Sequence, residues 1–326
     1  MKAITVEEFG GPEVMKLAEV PQRVPAGFQV LVQVIAAGVN PVDTYLRSGN
    51  HVHAPELPYT PGKDGAGVVA AVGPDVSKFK VADRVYTADS ITGTYAEFSL
   101  CEESQLALLP DNTSFEAGAG VWTPYATSLR ALFEKAQVKA GETVLIHGAS
   151  GGVGIAAVQW AKHAGLKIVG TAGSDEGKQL VSELGADLVV DHLSSDKDAA
   201  ANSKDKILEF TGGRGVDVVV EMLANVNLLL DFDVLAMFGR ICVVGNRGSL
   251  EFNPRAAMTK DATIYGLSLF NAPRSVRDSI HEAIYKGLRD GYLRPVVSRK
   301  FELREAPKAH REVIESRALG KIVLIP

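Results

Sequence analysis

Cysteine is scarce in this 326-residue chain: the two present, Cys101 and Cys242, lie far apart and outside any CxxC spacing. That excludes a disulfide framework and a cysteine-rich zinc site. There is no excess of positive charge either, because 34 Lys and Arg face 39 Asp and Glu, a formal net charge of -5. The average field does not attract a phosphate backbone, so charge lends no support to RNA binding. Apolar runs break at Gly or polar residues well short of the ~20 residues that cross a bilayer, and no membrane partner is expected. The segment Met1–Phe9 lacks the apolar stretch of a secretory signal and carries acids that a mitochondrial presequence avoids, so the expected address is cytoplasmic.

What is present is a globular balance of 46% hydrophobic and 22% charged residues, in a chain longer than one ordinary core spans. Two domains are expected. Residues 1 to about 122 alternate Pro and Gly with short β-branched runs at Val30–Ile35, Gly67–Val72 and Arg84–Tyr86, the pattern of an irregular, mostly β domain. Phe115–Phe133 has apolar residues at helical spacing, and Pro124 predicts a split into two helical pieces. From Thr143 onward, six apolar runs alternate with helical segments: Thr143–Ile146, Lys167–Gly170, Asp187–Val190, Val216–Val220, Arg240–Val244 and Ala262–Tyr265. Continuous apolar strands imply a sheet covered on both faces, hence parallel strands with right-handed crossovers. The α/β fold expected is a mostly β domain plus a doubly wound parallel-sheet domain of Rossmann type. A helix over Ser275–Leu288 follows, and the closing run Lys321–Ile325 reads as a strand returning to the first domain.

The glycine-rich turn Gly148–Gly154 follows a buried strand and opens a helix over Ile155–Ala164, the context a dinucleotide fingerprint requires. Gly151 and Gly152 leave the backbone open to a pyrophosphate at the helix start, and Gly154 lets helix and strand approach. An acid that would hold the adenosine ribose hydroxyls is missing at Ala172, the end of the second strand. Gly173, Ser174 and Lys178 offer donors for a 2′-phosphate there, which favours NADPH, although Asp175 and Glu176 follow closely. Lys178 also reads as a solvated helix residue, and His192 either flanks the adenine side or is a plain loop histidine.

Six segments carry a family resemblance: Phe9–Val14, Ala37–Asp43, Tyr59–Gly62, His147–Gly154, Glu221–Asn227 and Gly320–Leu324. Through them nearly the whole chain resembles the zinc-free quinone oxidoreductases of the medium-chain dehydrogenase/reductase superfamily, the zeta-crystallin branch most of all. The resemblance implies a GroES-like catalytic domain from 1–122 plus 271–326, around an NADPH-binding domain of 123–270. The superfamily's zinc branch holds its metal with Cys, His and Glu at positions that here carry Asn40, Lys63 and Asp64. A protonated Lys is no ligand, so the expectation is no metal.

The same resemblance implies that Tyr45, Ser150, Gly151, Gly152 and Val153 contact NADPH. It extends the adenosine site to Gly173, His192 and Asn227, the site behind the fifth strand to Val244, Gly245, Asn246 and Arg247, and the nicotinamide side to Leu267, Ser268 and Leu269. Lys178 and Arg317 match phosphate-binding positions of bacterial relatives, and Thr127 a threonine facing the nicotinamide amide. For Asn227 a helix cap, and for Arg317 a surface charge, are the alternatives. Asn40, Tyr45 and Tyr59, with Thr127, are expected to line an acceptor cleft, Asn40 bonding a carbonyl. The segment Arg47–His51 lacks the tyrosine that related enoyl-thioester reductases carry, leaving His51 as a substitute acid or a loop histidine. The function implied is NADPH-dependent reduction of a quinone or enone, through one-electron or hydride transfer, by a homodimer or homotetramer. An enoyl-thioester or alkenal reductase, or an NADPH-sensitive AU-rich RNA-binding or crystallin role, are the alternatives.

Overall fold

The computed structural model describes residues 1–192, 197–315 and 319–326, of which 197–201 in backbone only. In chain order the strands are β1 (Lys2–Val6), β2 (Met15–Glu19), β3 (Gln29–Val39), β4 (Asp64–Val72), β5 (Arg84–Ala88), β6 (Phe98–Glu102), β7 (Leu106–Leu108), β8 (Thr143–Ile146), β9 (Lys167–Thr171), β10 (Leu188–Val190), β11 (Val216–Glu221), β12 (Leu235–Val243), β13 (Thr263–Gly266), β14 (Val297–Glu302) and β15 (Lys321–Ile325). They fall into two compact units, one comprising Met1–Thr123, His281–Ser316 and Gly320–Pro326, the other built on Pro124–Ile280.

The first unit has a sheet of order β14-β15-β3-β4-β5-β7, with β6 also paired to β3, and a separate β1-β2 pair. The closing run forms β15 and lies antiparallel to β3, with Ile322 opposite Val39 and Leu324 opposite Ala37. Val34, Val39 and Leu324 pack with Ile4, Val6, Tyr95 and Phe301 in one core of the unit, and Val30, Val32, Val69 and Val85 with Phe79 in another. Cys101 sits in β6, where burial pushes its thiol up to about 12 and leaves it unreactive.

All six strands of the second unit are parallel, in the order β10-β9-β8-β11-β12-β13. The order reverses between β8 and β11, whose carboxyl ends therefore flank the crevice where doubly wound sheets bind ligands. Leu145, Val169, Val219 and Ile241 form the sheet's share of the core, and Leu228 and Phe232 cover it from the helix Ala224–Val234.

The helical region before β8 differs from the expectation. Its break falls at residues 119–121, after the short helix Phe115–Gly118, and a run with wide π turns then passes through Pro124 (Trp122–Ala126, Thr127–Leu129, Arg130–Lys135). Proline is tolerated in the first turn of a helix, where an N–H has no intrahelical partner to lose.

Candidate active site

In the second unit, His147 ends the β8 segment and Gly148 turns the chain at φ +55°. Gly151 then precedes the helix Gly152–His163. The first amides of that helix, from Gly152, Val153 and Gly154, have no intrahelical acceptors and carry the positive end of the helix dipole. A Cβ on Gly154 would stand 2.3 Å from the Gly148 carbonyl oxygen, so only glycine lets this helix start so close to the strand. Ser150 is buried beside this turn. These features fit a dinucleotide pyrophosphate, an anion held by backbone amides.

Just after β9, Gly173 lies against the His192 ring, which a Cβ would approach to 3.0 Å. The Ser174 hydroxyl accepts from Gly177 N as the cap of the helix Asp175–Glu183 and keeps its own proton to donate. Lys178 is committed to Asp191 at 2.6 Å, with Asp175 at 3.6 Å, and the bond to Asp191 raises its pKa. A 2′-phosphate would have to replace Asp191 as its partner. His192 lies 3.0 Å from Thr171 Oγ1, and burial holds it below the ordinary histidine value.

Asn227 does not cap a helix: it lies inside Ala224–Val234 and donates to Glu221 Oε1 at 3.1 Å. Val244 to Arg247 leave the end of β12, where a Cβ on Gly245 would stand 2.2 Å from Met222 O. Asn246 and Arg247 are tied to Asn225, the former through Asn225 N and the latter through Asn225 Oδ1. Leu267 to Leu269 follow β13, and the buried Arg130 holds the Ser268 carbonyl at 2.7 Å while pairing with Glu134. Thr127 is buried in the helical run of this unit. Arg317 lies outside the described residues.

Beneath the glycine turn is a triad whose role the sequence reading missed. His147 Nε2 is 2.8 Å from Asp231 Oδ1 and 3.4 Å from Glu221 Oε2, and all three side chains are fully buried. Burial raises Glu221 and Asp231 to about 7 and lowers His147. A charged residue ending the apolar run of β11 was the available signal.

The first unit brings two of the three positions matched to the zinc branch's ligands, Asn40 and Asp64, together around the Lys321 ammonium. Asn40 Nδ2 donates to Asp64 Oδ2 at 3.0 Å, and Lys321 Nζ reaches Asn40 Oδ1 at 2.5 Å and Asp64 Oδ2 at 3.2 Å. Thr123 Oγ1 donates to the other Asp64 oxygen at 2.7 Å. Both ends of the buried Asn40 amide are thus engaged. Lys63 points elsewhere, to Asp89 at 2.7 Å. The helix Pro41–Arg47 starts at Asn40, whose N–H donates to Asp43, and carries the half-buried Tyr45. The Tyr59 hydroxyl is buried without a hydrogen-bond partner among the described residues, and burial, then Asp43, pushes its pKa up. His51 is lowered, chiefly by burial, which disfavours the protonated form that a substitute acid would need. Lys321 and Thr123 escaped the sequence reading; a lone cation opening an apolar strand was the clue to the first.

A β-rich unit and a doubly wound dinucleotide-type sheet in one chain define the medium-chain dehydrogenase/reductase class. Residues 26–128 match the alcohol dehydrogenase GroES-like domain and 152–284 the zinc-binding dehydrogenase model. The chain is 48% identical over its whole length to a quinone oxidoreductase of Sus scrofa and 46% to that of Homo sapiens, covering 98% of each. The solved Escherichia coli quinone oxidoreductase complexed with NADPH is 30% identical, with a TM-score of 0.89 and full coverage of both chains. The chain belongs to the quinone oxidoreductase family.

Proposed function

We propose that the chain is an NADPH-dependent quinone reductase working without a metal. The observation that carries the reading is the close approach at Gly154, which seats a helix amino terminus at the switch point of a parallel sheet. NADPH supplies the reducing equivalents; the chain holds and orients it. Backbone amides of Gly151 to Gly154, with Ser150, bind the pyrophosphate, and Ser174 and Lys178 the 2′-phosphate, with Arg317 as a further phosphate ligand. His192, Asn227, Val244 to Arg247, Leu267 to Leu269 and Thr127 complete the cofactor contacts.

The GroES-like part is assigned to 1–122 and 271–326 and the cofactor part to 123–270, whereas the compact units divide at Thr123/Pro124 and at Ile280/His281. Tyr45 covers the nicotinamide side and Tyr59 bounds the acceptor. Asn40 acts by bridging Lys321 and Asp64, since its amide is already bonded. Reduced quinone oxygens take protons from water, so positioning outweighs acid catalysis. The protein works as a homodimer or homotetramer in the cytoplasm. Steady-state kinetics with NADPH and NADH, on orthoquinones and on a crotonyl thioester, tests the reading: quinone turnover with NADPH preferred is expected. Turnover of the thioester alone, or equal use of both cofactors, overturns it.

A further inference from the structure

His147, Glu221 and Asp231 come from the carboxyl ends of β8 and β11 and from the helix after β11, so they lie at the switch point, directly under the glycine turn. The triad is wired to groups around the cofactor cradle. Glu221 Oε1 accepts from Asn227 Nδ2 and from Leu223 N. His147 Nδ1 lies 3.5 Å from Thr171 Oγ1, which also accepts from Gly148 N and meets His192. Among the described residues the triad has no Lys or Arg partner. Glu221 Oε2 and Asp231 Oδ2 are buried with no ordinary hydrogen-bond partner among the described residues, and one polar atom from each of the three side chains lies within 4.8 Å of the others. A proton shared between them satisfies both oxygens, as in other buried carboxyl pairs.

We propose that the Glu221–Asp231 pair is a proton-holding positioning unit of the cofactor site, and that NADPH binding takes up a proton from solvent into it. This rests on the reading that the cradle binds NADPH. The reason is electrostatic: an anionic cofactor over a buried carboxyl pair favours the pair's protonated form. The groups that bear on the pair are His147 from β8 and, through it, His192, which itself faces Asp191 and Lys178. Burial holds both histidines below their ordinary value, which disfavours a positive charge beside the pair, while Glu221 acts on His147 in the opposite sense. With the pair near 7, uptake of up to about half a proton per cofactor is expected at pH 7. By the same linkage, affinity falls by as much as tenfold per pH unit above that point.

Calorimetric titration of the intact protein with NADPH, in buffers of different ionisation enthalpy between pH 6 and 9, reads this uptake directly. NADH serves as a second ligand, because it lacks the titrating 2′-phosphate. Both cofactors should show uptake in the wild type, and Asp231→Asn should abolish it and flatten the pH dependence of Kd. Glu221→Gln gives the same reading should Asp231→Asn fail to fold. A purely structural triad would shift Kd equally at every pH and leave uptake unchanged. Binding without proton uptake, uptake that survives both substitutions, or a stoichiometric divalent cation held by the triad overturns the proposal. No NADPH binding at all would instead overturn the functional reading beneath it.

Discussion

In the β-rich unit the buried carboxylate of Asp64 faces an ammonium, Lys321, with Asn40 and Thr123 filling its remaining acceptor positions. In the cofactor unit the buried carboxyl groups of Glu221 and Asp231 lie beside the His147 imidazole, whose pKa burial lowers, and Glu221 accepts from the uncharged donors Asn227 Nδ2 and Leu223 N. A carboxylate out of water needs either a counter-charge or a proton, and the two units use one each. The first solution is fixed by sequence. The second depends on pH, and it lies at the switch point of the dinucleotide sheet.

The largest effect should come from removing the counter-charge. Lys321→Met leaves Asp64 buried without a cation and should cost about 3–5 kcal/mol of unfolding free energy in a urea titration. Adding Asp64→Asn should recover most of that loss. An undiminished urea midpoint in Lys321→Met would mean that the cluster is not a charge pair in energetic terms.

The proton-based cluster should respond to pH instead. Raised carboxyl groups contribute stability that is present below their unfolded values, near 4, and lost as pH rises toward about 7. His147 acts in the opposite sense: lowered by burial, its contribution is present above the unfolded histidine value and is lost as pH falls. Comparing Asp231→Asn with the wild type isolates the carboxyl part. The variant should be less stable at pH 5 and recover relative to the wild type by pH 8, a swing of roughly 1.4 kcal/mol per pH unit for each proton held. Parallel stability curves would contradict the shared proton.

Smaller effects belong to residues proposed as cofactor contacts. Lys178→Ala should raise the KM for NADPH about tenfold to a hundredfold, the scale of one charge-assisted hydrogen bond, and leave NADH nearly unchanged. Because Lys178 is paired with Asp191, Asp191→Asn should lower the NADPH KM slightly. Smallest of all, Tyr45→Phe should keep most turnover, since its ring is assigned to positioning; a fall of ~100-fold or more at unchanged thermal stability would make the hydroxyl a proton donor.

Much of this was legible in the chain. The runs Thr143–Ile146 and Lys321–Ile325 coincide with β8 and β15, because parallel or central strands are apolar throughout and stand out from their neighbours. β12 was read as starting at Arg240 but begins at Leu235, and the left-handed φ of +62° at Phe238 shows why its first half lacks a regular strand pattern. The glycine turn was legible because its chemistry lies within eight consecutive residues. The polar clusters were not: Asn40 and Lys321 are 281 residues apart, and Asp231 sits on a helix that also carries Asp233, with nothing in the spacing to say which of the two is buried. Sequence also suggested that Asn40 is free to bond a substrate, whereas its amide is used twice within its own unit.

NADPH-driven quinone reduction without a metal, in a chain that carries Asn40, Lys63 and Asp64 at the positions where the resemblance puts the zinc branch's ligands, is the central claim. The most direct test is the rate of orthoquinone reduction by NADPH before and after exhaustive chelation of the purified protein. The account predicts the same rate in both. Activity lost on chelation and restored by one equivalent of zinc would contradict it.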